Sequence, residues 1–453
     1  MTQKVTILCH VGPWCKDQFS SIAKGIDETA VVEYISGFSS VDSTGYGELF
    51  KKEFDQMKGV KFISSDIDLE IIRRCRLLRA YESKLALIYV AVTRKVVSYI
   101  LDKIKPSLFI SESVDQYLHD ILFQECEKRN IKTAGFIRTF INGYYRVSNR
   151  GEYHKSRNAS DLEVEKVQYQ LMDTSYIPNN LTLLKKSLRK TYVSIMVKNI
   201  LRVLWFGALR QIPAYRHQYH CNASYLITLS EYLHFFPAQQ LGSKNWKTSI
   251  DKEKKTIFFP LQHFPEATID YWVDDLRLIN YTNFVTMVLS KLSSEFNVLV
   301  KEHPGVWGYR KPNFYKSIVS SNKSLIVVPT EELSNNCIDI SDAVFVLTGS
   351  IGFEAALRNK LVLTLTDSYY LASCKELIYR LPWDFTLEEI KLLIDKTQQY
   401  VMTEKKRHSM VKYILNGCQP GVFRNDGSYS HLNVNHVKEA KEIGKKLRSE
   451  IFC

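Results

Sequence analysis

At 453 residues the chain is too long for one hydrophobic core, so two domains are expected. Hydrophobic residues at 45% and charged residues at 24% exclude a disordered or fibrous chain. The net charge of +13 suits an anionic partner, whether nucleic acid, anionic lipid or a polyanionic substrate, and suits an ordinary basic enzyme as well. Aromatic residues at 12% are compatible with carbohydrate or membrane-surface contact. Nine cysteines, from Cys9 to Cys453, show no CxxC pair and no regular spacing. That pattern argues against a disulfide framework and fits a reducing cytosol. The N-terminal residues lack the charged start, apolar core and cleavage site of a signal peptide. No apolar run is long enough for a membrane-spanning helix.

Residues 4–9 (KVTILC) read as a buried first strand that ends in His10-Val11-Gly12-Pro13. Residues 30–35 and 60–63 read as further strands, and residues 69–103 as two helices. A strand at 106–110 (PSLFI), a helix at 115–129 and a strand at 131–137 complete an alternating series. Such alternation predicts a parallel sheet covered on both faces over residues 1–150. Residues 150–220 read as a helical excursion. Within it, Lys198, Arg202, Arg210 and Arg216 interleave with apolar residues at helical spacing. That gives either a core-packing helix with solvated basic flanks or a helix able to lie on an anionic membrane. Residues 222–229 read as a return to the first sheet, and 239–255 as the interdomain linker. The first domain is accordingly placed at 1–245 and the second at 246–453.

The second domain opens with a strand at 256–260. A helix at 271–295, a strand at 296–301, a helix at 313–321, a strand at 325–328 and a helix at 331–337 follow. Residues 341–370 then read as strand, turn, helix and strand, and residues 384–401 and 438–448 as closing helices. The turn Thr348-Gly349-Ser350-Ile351-Gly352 has few side chains, and a helix start there favours an anion. An ordinary turn that binds nothing has the same pattern. Glu354, in the next helical turn, suits a ribose diol or simply complements the helix dipole. His303-Pro304 closes the strand at 296–301, at the sheet edge where ligands of α/β proteins bind. His303 there can donate to a phosphate, and Lys301 and Arg310 can add positive charge. His263 and Glu266, between Pro260 and Thr268, suit sugar hydroxyls. In the first domain, Glu112 and Asp115 follow the 106–110 strand and are candidates for a general base, with His10 as a rival. The sequence does not separate these three. Neither GxGxxG nor GxxxxGK[ST] occurs, and the chain is read as carrying no metal signature, whether D-x-D, HExxH or a Cys/His cluster.

Three blocks, FFPLQHFPEAT, VKEHPGVWGYRKPNFY and LTGSIGFEAALRNKLVLTLTDSYY, resemble the signature blocks of bacterial capsule and surface-polysaccharide glycosyltransferases, Kdo transferases included. A more distant resemblance is to bacterial sialyltransferases with a His-Pro motif. The blocks span residues 258–370; the N-terminal part matches more loosely, in SLFISES and TAGFIRTFINGYYRVS, where Arg138 lies. Asn359-Lys360-Leu361 departs from the usual Gly-Lys-Pro, and Thr366-Asp367 from the usual Phe-Gly. The resemblance implies an α/β GT-B fold, two Rossmann-like domains facing across a cleft with C-terminal helices. It implies that His303 and Pro304 meet the donor phosphate and nucleotide, Thr348, Gly349 and Ser350 the phosphate, and Glu354 the ribose; Lys301, Arg310 and Gly352 complete the candidate nucleotide-sugar site. Weaker substrate contacts are assigned to His10, Arg138, His263 and Glu266. The implied donor is a CMP sugar such as Kdo or a sialic-acid-like sugar, whose monophosphate leaving group needs no metal. The implied acceptor is a glycan or glycolipid, handled in the cytoplasm or at the inner membrane surface, with no nucleic acid involved. A CDP-polyol phosphotransferase and a non-catalytic capsule-assembly partner share this architecture.

Overall fold

The computed structural model describes residues 5–57, 64–178, 188–233, 242–306, 310, 312–320, 324–425 and 427–451. The strand expected at 60–63 and Cys453 lie outside them. Twelve strands are described: β1 Thr6–His10, β2 Val31–Ile35, β3 Leu108–Glu112, β4 Lys132–Arg138, β5 Tyr144–Val147, β6 Thr256–Pro260, β7 Asn297–Lys301, β8 Leu325–Val328, β9 Ala343–Phe345, β10 Leu361–Thr364, β11 Ile378–Arg380 and β12 Gln419–Pro420. They form two six-stranded sheets, as an α/β chain of two Rossmann-like units should.

The first sheet has the order β12-β5-β4-β3-β1-β2. Strands β2, β1, β3 and β4 are parallel, with Cys9 opposite Ile110 and Glu112 opposite Phe136. Strands β5 and β12 are antiparallel additions that the alternation of the sequence does not announce. The chain runs from β1 outward to β2, then crosses back to β3 on the other side of β1. The strand order therefore reverses between β1 and β3, leaving a crevice outside their C-terminal ends.

The second sheet is parallel throughout, in the order β11-β10-β9-β6-β7-β8. Its reversal lies between β6 and β9. Every residue of β7 is buried, as a strand covered on both faces requires. Helix Tyr281–Leu292 packs Phe284, Val285, Val288 and Leu289 into this core, and each such side chain contributes about 1.5–3 kcal/mol by leaving water.

By contacts the chain divides into one unit of Met1–Arg157, Arg202–Ile227 and Gly417–Cys453, and another of Asn158–Leu201 and Thr228–Asn416. This differs from a single boundary near residue 245. The closing helix Val434–Ile451 belongs to the first unit, where it crosses helix Lys16–Ile26. A Cβ on Gly25 would stand 2.1 Å from the Lys441 carbonyl oxygen, and one on Gly444 2.0 Å from that of Ile22. Two glycines separated by more than four hundred residues thus permit one crossing, which no local pattern reveals.

Other expectations shift for local reasons. Residues 222–229 are not a strand: helix Tyr219–Ile227 buries Cys221, Asn222, Ala223 and Ile227. A short apolar run does not by itself distinguish strand from helix. Trp246, within the expected linker, is buried in the second unit and donates to Glu332 at 3.1 Å, so the segment is anchored. Helix Glu404–Asn416 was not expected. Asn359 sits at φ 61°, at the position where the resemblance implies glycine. Asparagine tolerates this left-handed helix end, so the departure keeps the backbone geometry.

Candidate functional site

Both candidate sites lie where the strand order reverses. In the second unit, the loop after β6 links the other two predicted elements. Gln262 is bound through its N–H to the Tyr281 hydroxyl at 2.7 Å. A Cβ on Gly349 would come within 2.9 Å of the Gln262 side-chain nitrogen, so the loop after β6 lies against the Thr348–Gly352 turn. Thr348 donates its hydroxyl to the Thr268 carbonyl at 2.9 Å. On the other side, the His263 and His303 rings have centroids 5.6 Å apart. His263 Nδ1 lies 3.5 Å from Glu266 Oε1, and Glu266 Oε2 accepts from Thr268 at 2.7 Å. His263, Glu266, His303 and Thr348 are therefore brought together around one loop.

His303 has a defined tautomer. The Gly305 N–H donates to its Nδ1 at 3.0 Å, so that nitrogen carries no proton. The neutral ring then presents Nε2–H as its donor. Burial, and then His263, lower its pKa to about 3, which keeps it neutral at pH 7. Burial raises the Glu266 carboxyl, but His263, Thr268 and His303 together outweigh this and lower it to about 2. The Ser350 hydroxyl donates to Glu354 Oε1 at 3.1 Å, while burial raises the Glu354 pKa.

Arg310 stands differently from the expectation of added charge at a phosphate. Its guanidinium is buried and bound to Glu302, with Nε–Oε2 at 2.7 Å, and it also donates to the Gln262 carbonyl. Tyr315 completes the group by donating to Glu302 Oε2 at 2.5 Å. Arg310 thus ties the loop after β6 to the strand that carries His303, and its charge is already matched. Lys301 is buried at the end of β7, and burial lowers its pKa. Gly349 and Gly352 are required by the protein's own packing. A Cβ on Gly352 would meet the Tyr370 hydroxyl at 2.3 Å. Helix Ile351–Leu357 is short, and Ser350 turns to Glu354 without capping its backbone. Pro304 begins a 3-10 turn, Pro304–Val306. Glu302, Gln262, Thr268 and Tyr315 were not singled out in the sequence. All four sit inside the quoted blocks, with Glu302 and Gln262 beside the two histidines.

In the first unit, His10 ends β1 and Glu112 ends β3, on the two sides of the reversal. Buried Glu112 Oε1 has no hydrogen-bond partner among the described residues. Burial raises the Glu112 pKa to about 7. His10 Nδ1 and His119 Nε2 are 2.7 Å apart, with Gln116 Nε2 at 3.1 Å from the same His119 nitrogen. Burial holds His10 well below its usual value and His119 near 4, so two neutral rings share one proton between these nitrogens. Cys15, near Glu112, is pushed up to about 12 by burial and then by that carboxylate. Asp115 is committed elsewhere: its carboxylate and its carbonyl both accept from Arg76. Arg138 ends β4 on the same edge and donates to Asn425 at 3.2 Å. His119 lies on helix Tyr117–Glu127, one turn past Asp115, and nothing in its spacing reveals its contact with His10.

Asp66-Ile67-Asp68 does spell D-x-D, a pattern associated with metals in some transferases. Here it opens helix Asp66–Arg74: Asp68 forms a capping box with Ser65 and binds Arg94 at 2.8 Å. No group of three or more His, Cys, Asp or Glu gathers as a metal site among the described residues.

Two Rossmann-like sheets, each with candidate groups at its reversal, define a two-unit α/β protein. Residues 134–374, just over half of the chain, match the family of capsule polysaccharide biosynthesis proteins, and the chain belongs to it. No curated protein matches. Among solved structures, the chain is similar to the β-Kdo 2,7 transferase KpsC of Thermosulfurimonas dismutans, with 12% identity, 99% of each chain covered and a TM-score of 0.38. A glycosyltransferase from Rickettsia africae shows 13% identity over 100% of this chain and 99% of its own, with a TM-score of 0.30. The UDP-GlcNAc 2-epimerase of Neisseria meningitidis shows 11% identity over 91% and 98%, with a TM-score of 0.27. At these scores the likeness decides neither ligand nor reaction.

Proposed function

We propose that the protein is a nucleotide-sugar-dependent glycosyltransferase of GT-B type, acting on a bacterial capsular or surface polysaccharide. The donor in this reading is a CMP sugar, an ulosonic acid such as Kdo or a sialic-acid-like sugar. The observation that carries it is the gathering of His263, Glu266, His303 and the Thr348–Glu354 turn at the reversal of an all-parallel sheet. His303 Nε2–H, uncharged and fixed from behind by Gly305, donates to the donor phosphate. Thr348 and Ser350 flank the same group, and Glu354 accepts from the ribose diol. His263 and Glu266 meet the sugar. Arg310 acts as a positioning residue by holding the Gln262 carbonyl.

The first unit, in this reading, takes the acceptor. Glu112, poised near neutral pH, removes the proton of the acceptor hydroxyl, with the His10–His119 pair as the rival base. The acceptor oxygen forms its bond to the anomeric carbon as the bond to the phosphate oxygen breaks, and CMP leaves with that electron pair. Residence in the cytoplasm with attachment at the inner membrane accompanies this reading.

Heat unfolding with CMP, CDP and UDP tests it. CMP at a hundredfold excess over its Kd should stabilise the protein by about 2.7 kcal/mol. In His303→Ala the shift should shrink, and turnover should fall about 10²-fold with the fold retained. Protection by CDP alone would point to a polyol-phosphate transferase. No protection by any of the three, with full stability, would favour a non-catalytic assembly partner.

A further inference from the structure

Among the described residues, helix Leu188–Leu209 is buried along one side and carries an exposed apolar stripe on another. Met196 and Asn199 are buried on one side. On the other, Val193, Val197, Ile200, Leu201, Leu204 and Trp205 recur at helical spacing and are each between 38% and 65% exposed. Six large apolar side chains in one stripe are more than the scattered exposure of an ordinary surface. Lys198 flanks the stripe, Arg202 follows one turn on at the same flank, and both are exposed. The sequence that carries the helix is one-sided in charge: residues 174–230 contain eight Lys or Arg and no Asp or Glu.

We propose that this face docks the protein on an anionic phospholipid bilayer, with the helix lying in the interface. Charge decides among the possible occupants. A second copy would bring its own Lys198 and Arg202 towards these, and like charges repel. A nucleic acid would satisfy the cations but leave the apolar stripe in water. An anionic bilayer satisfies both: acyl chains take Leu201 and Leu204, headgroups take Lys198 and Arg202, and Trp205 suits the boundary between them. No helix among the described residues is long and apolar enough to cross a membrane, so the helix lies on the bilayer. Opposite the stripe, the C-terminal end of the helix is held within the first unit. Phe206 of the same helix packs on His220 at 5.2 Å, and His220 on Trp14 at 5.1 Å and Phe38 at 5.6 Å. Trp14 and Phe38 belong to the loops that follow β1 and β2, the edge where His10 stands. The docking itself does not depend on the transferase reading.

Sedimentation of the full chain with phosphatidylcholine vesicles, with and without phosphatidylglycerol, tests the docking. The protein should bind the anionic vesicles and largely ignore the neutral ones, and added salt should weaken binding. The triple variant Leu201→Gln, Leu204→Gln, Trp205→Gln and the double variant Lys198→Glu, Arg202→Glu should each bind about tenfold more weakly or less. Both alter exposed positions, so their unfolding temperatures should stay close to that of the parent and serve as the control for folding. Absence of binding to anionic vesicles, or equal binding by well-folded variants, would overturn the proposal. So would an oligomer in solution that the triple variant dissociates, because the face would then be covered by a second copy.

Discussion

His303 and Glu112 show how burial sets chemistry at single residues. His303 combines an occupied Nδ1 with a lowered pKa, so it offers a donor without a charge. Glu112 is the opposite case, a carboxyl that burial holds near 7. A base of that kind works when ionised, so activity should fall as pH drops through about 7. Glu112→Gln should lower turnover by about 10²–10⁴-fold and remove that limb of the pH profile. The same shift has a consequence for stability. Between the ordinary value of 4.5 and about 7, the folded protein keeps a proton that the unfolded chain has released. Stability should therefore fall as pH rises through this window, and Glu112→Gln should flatten the slope. A variant with parental turnover and an unchanged slope would remove Glu112 from the mechanism. The two histidines and the carboxylates were legible in the sequence because strand ends and proline mark them. His119 and Glu302 were not, because their partners come from distant elements: His10 in one case, and Arg310 with Gln262 in the other.

Among the elements, the crossing of helices Lys16–Ile26 and Val434–Ile451 is the sharpest steric condition. The backbones approach so closely that Gly25 and Gly444 admit no side chain. Gly444→Ala should destabilise the first unit by about 3 kcal/mol, read as a lower urea midpoint. An unchanged midpoint would mean that the helices do not meet there. Neither glycine looks unusual in sequence, since each sits inside an otherwise ordinary amphipathic helix. The short parallel strands and their helices were legible from apolar alternation, whereas helix Tyr219–Ile227 was read as a strand because a brief apolar run fits both. The apolar residues and basic flanks of helix Leu188–Leu209 are legible in the sequence. Which of its faces is covered depends on what packs against it, and that is a tertiary property.

Over the whole molecule, each unit is assembled from separate stretches of chain. Phe423, Ala440, Ile443 and Leu447 lie in the same core cluster as Phe19, Ile22 and Phe136. A chain ending at Asn416 should therefore lose the cooperative unfolding of the first unit while the second retains its own transition. Calorimetry showing both transitions intact would make the closing helix dispensable. By itself the sequence determined the α/β class, the number of Rossmann-like units, the family blocks and the sheet edge that carries His303, because those depend on periodicity and on residues close in the chain. Tertiary structure decided the rest: the return of the last helix to the first unit, the neutralisation of Arg310 by Glu302, the His10–His119 contact and the exposed stripe of helix Leu188–Leu209. The reason is common to all four. Each depends on which distant groups meet, and burial then fixes the charge, tautomer and exposure of the groups that do.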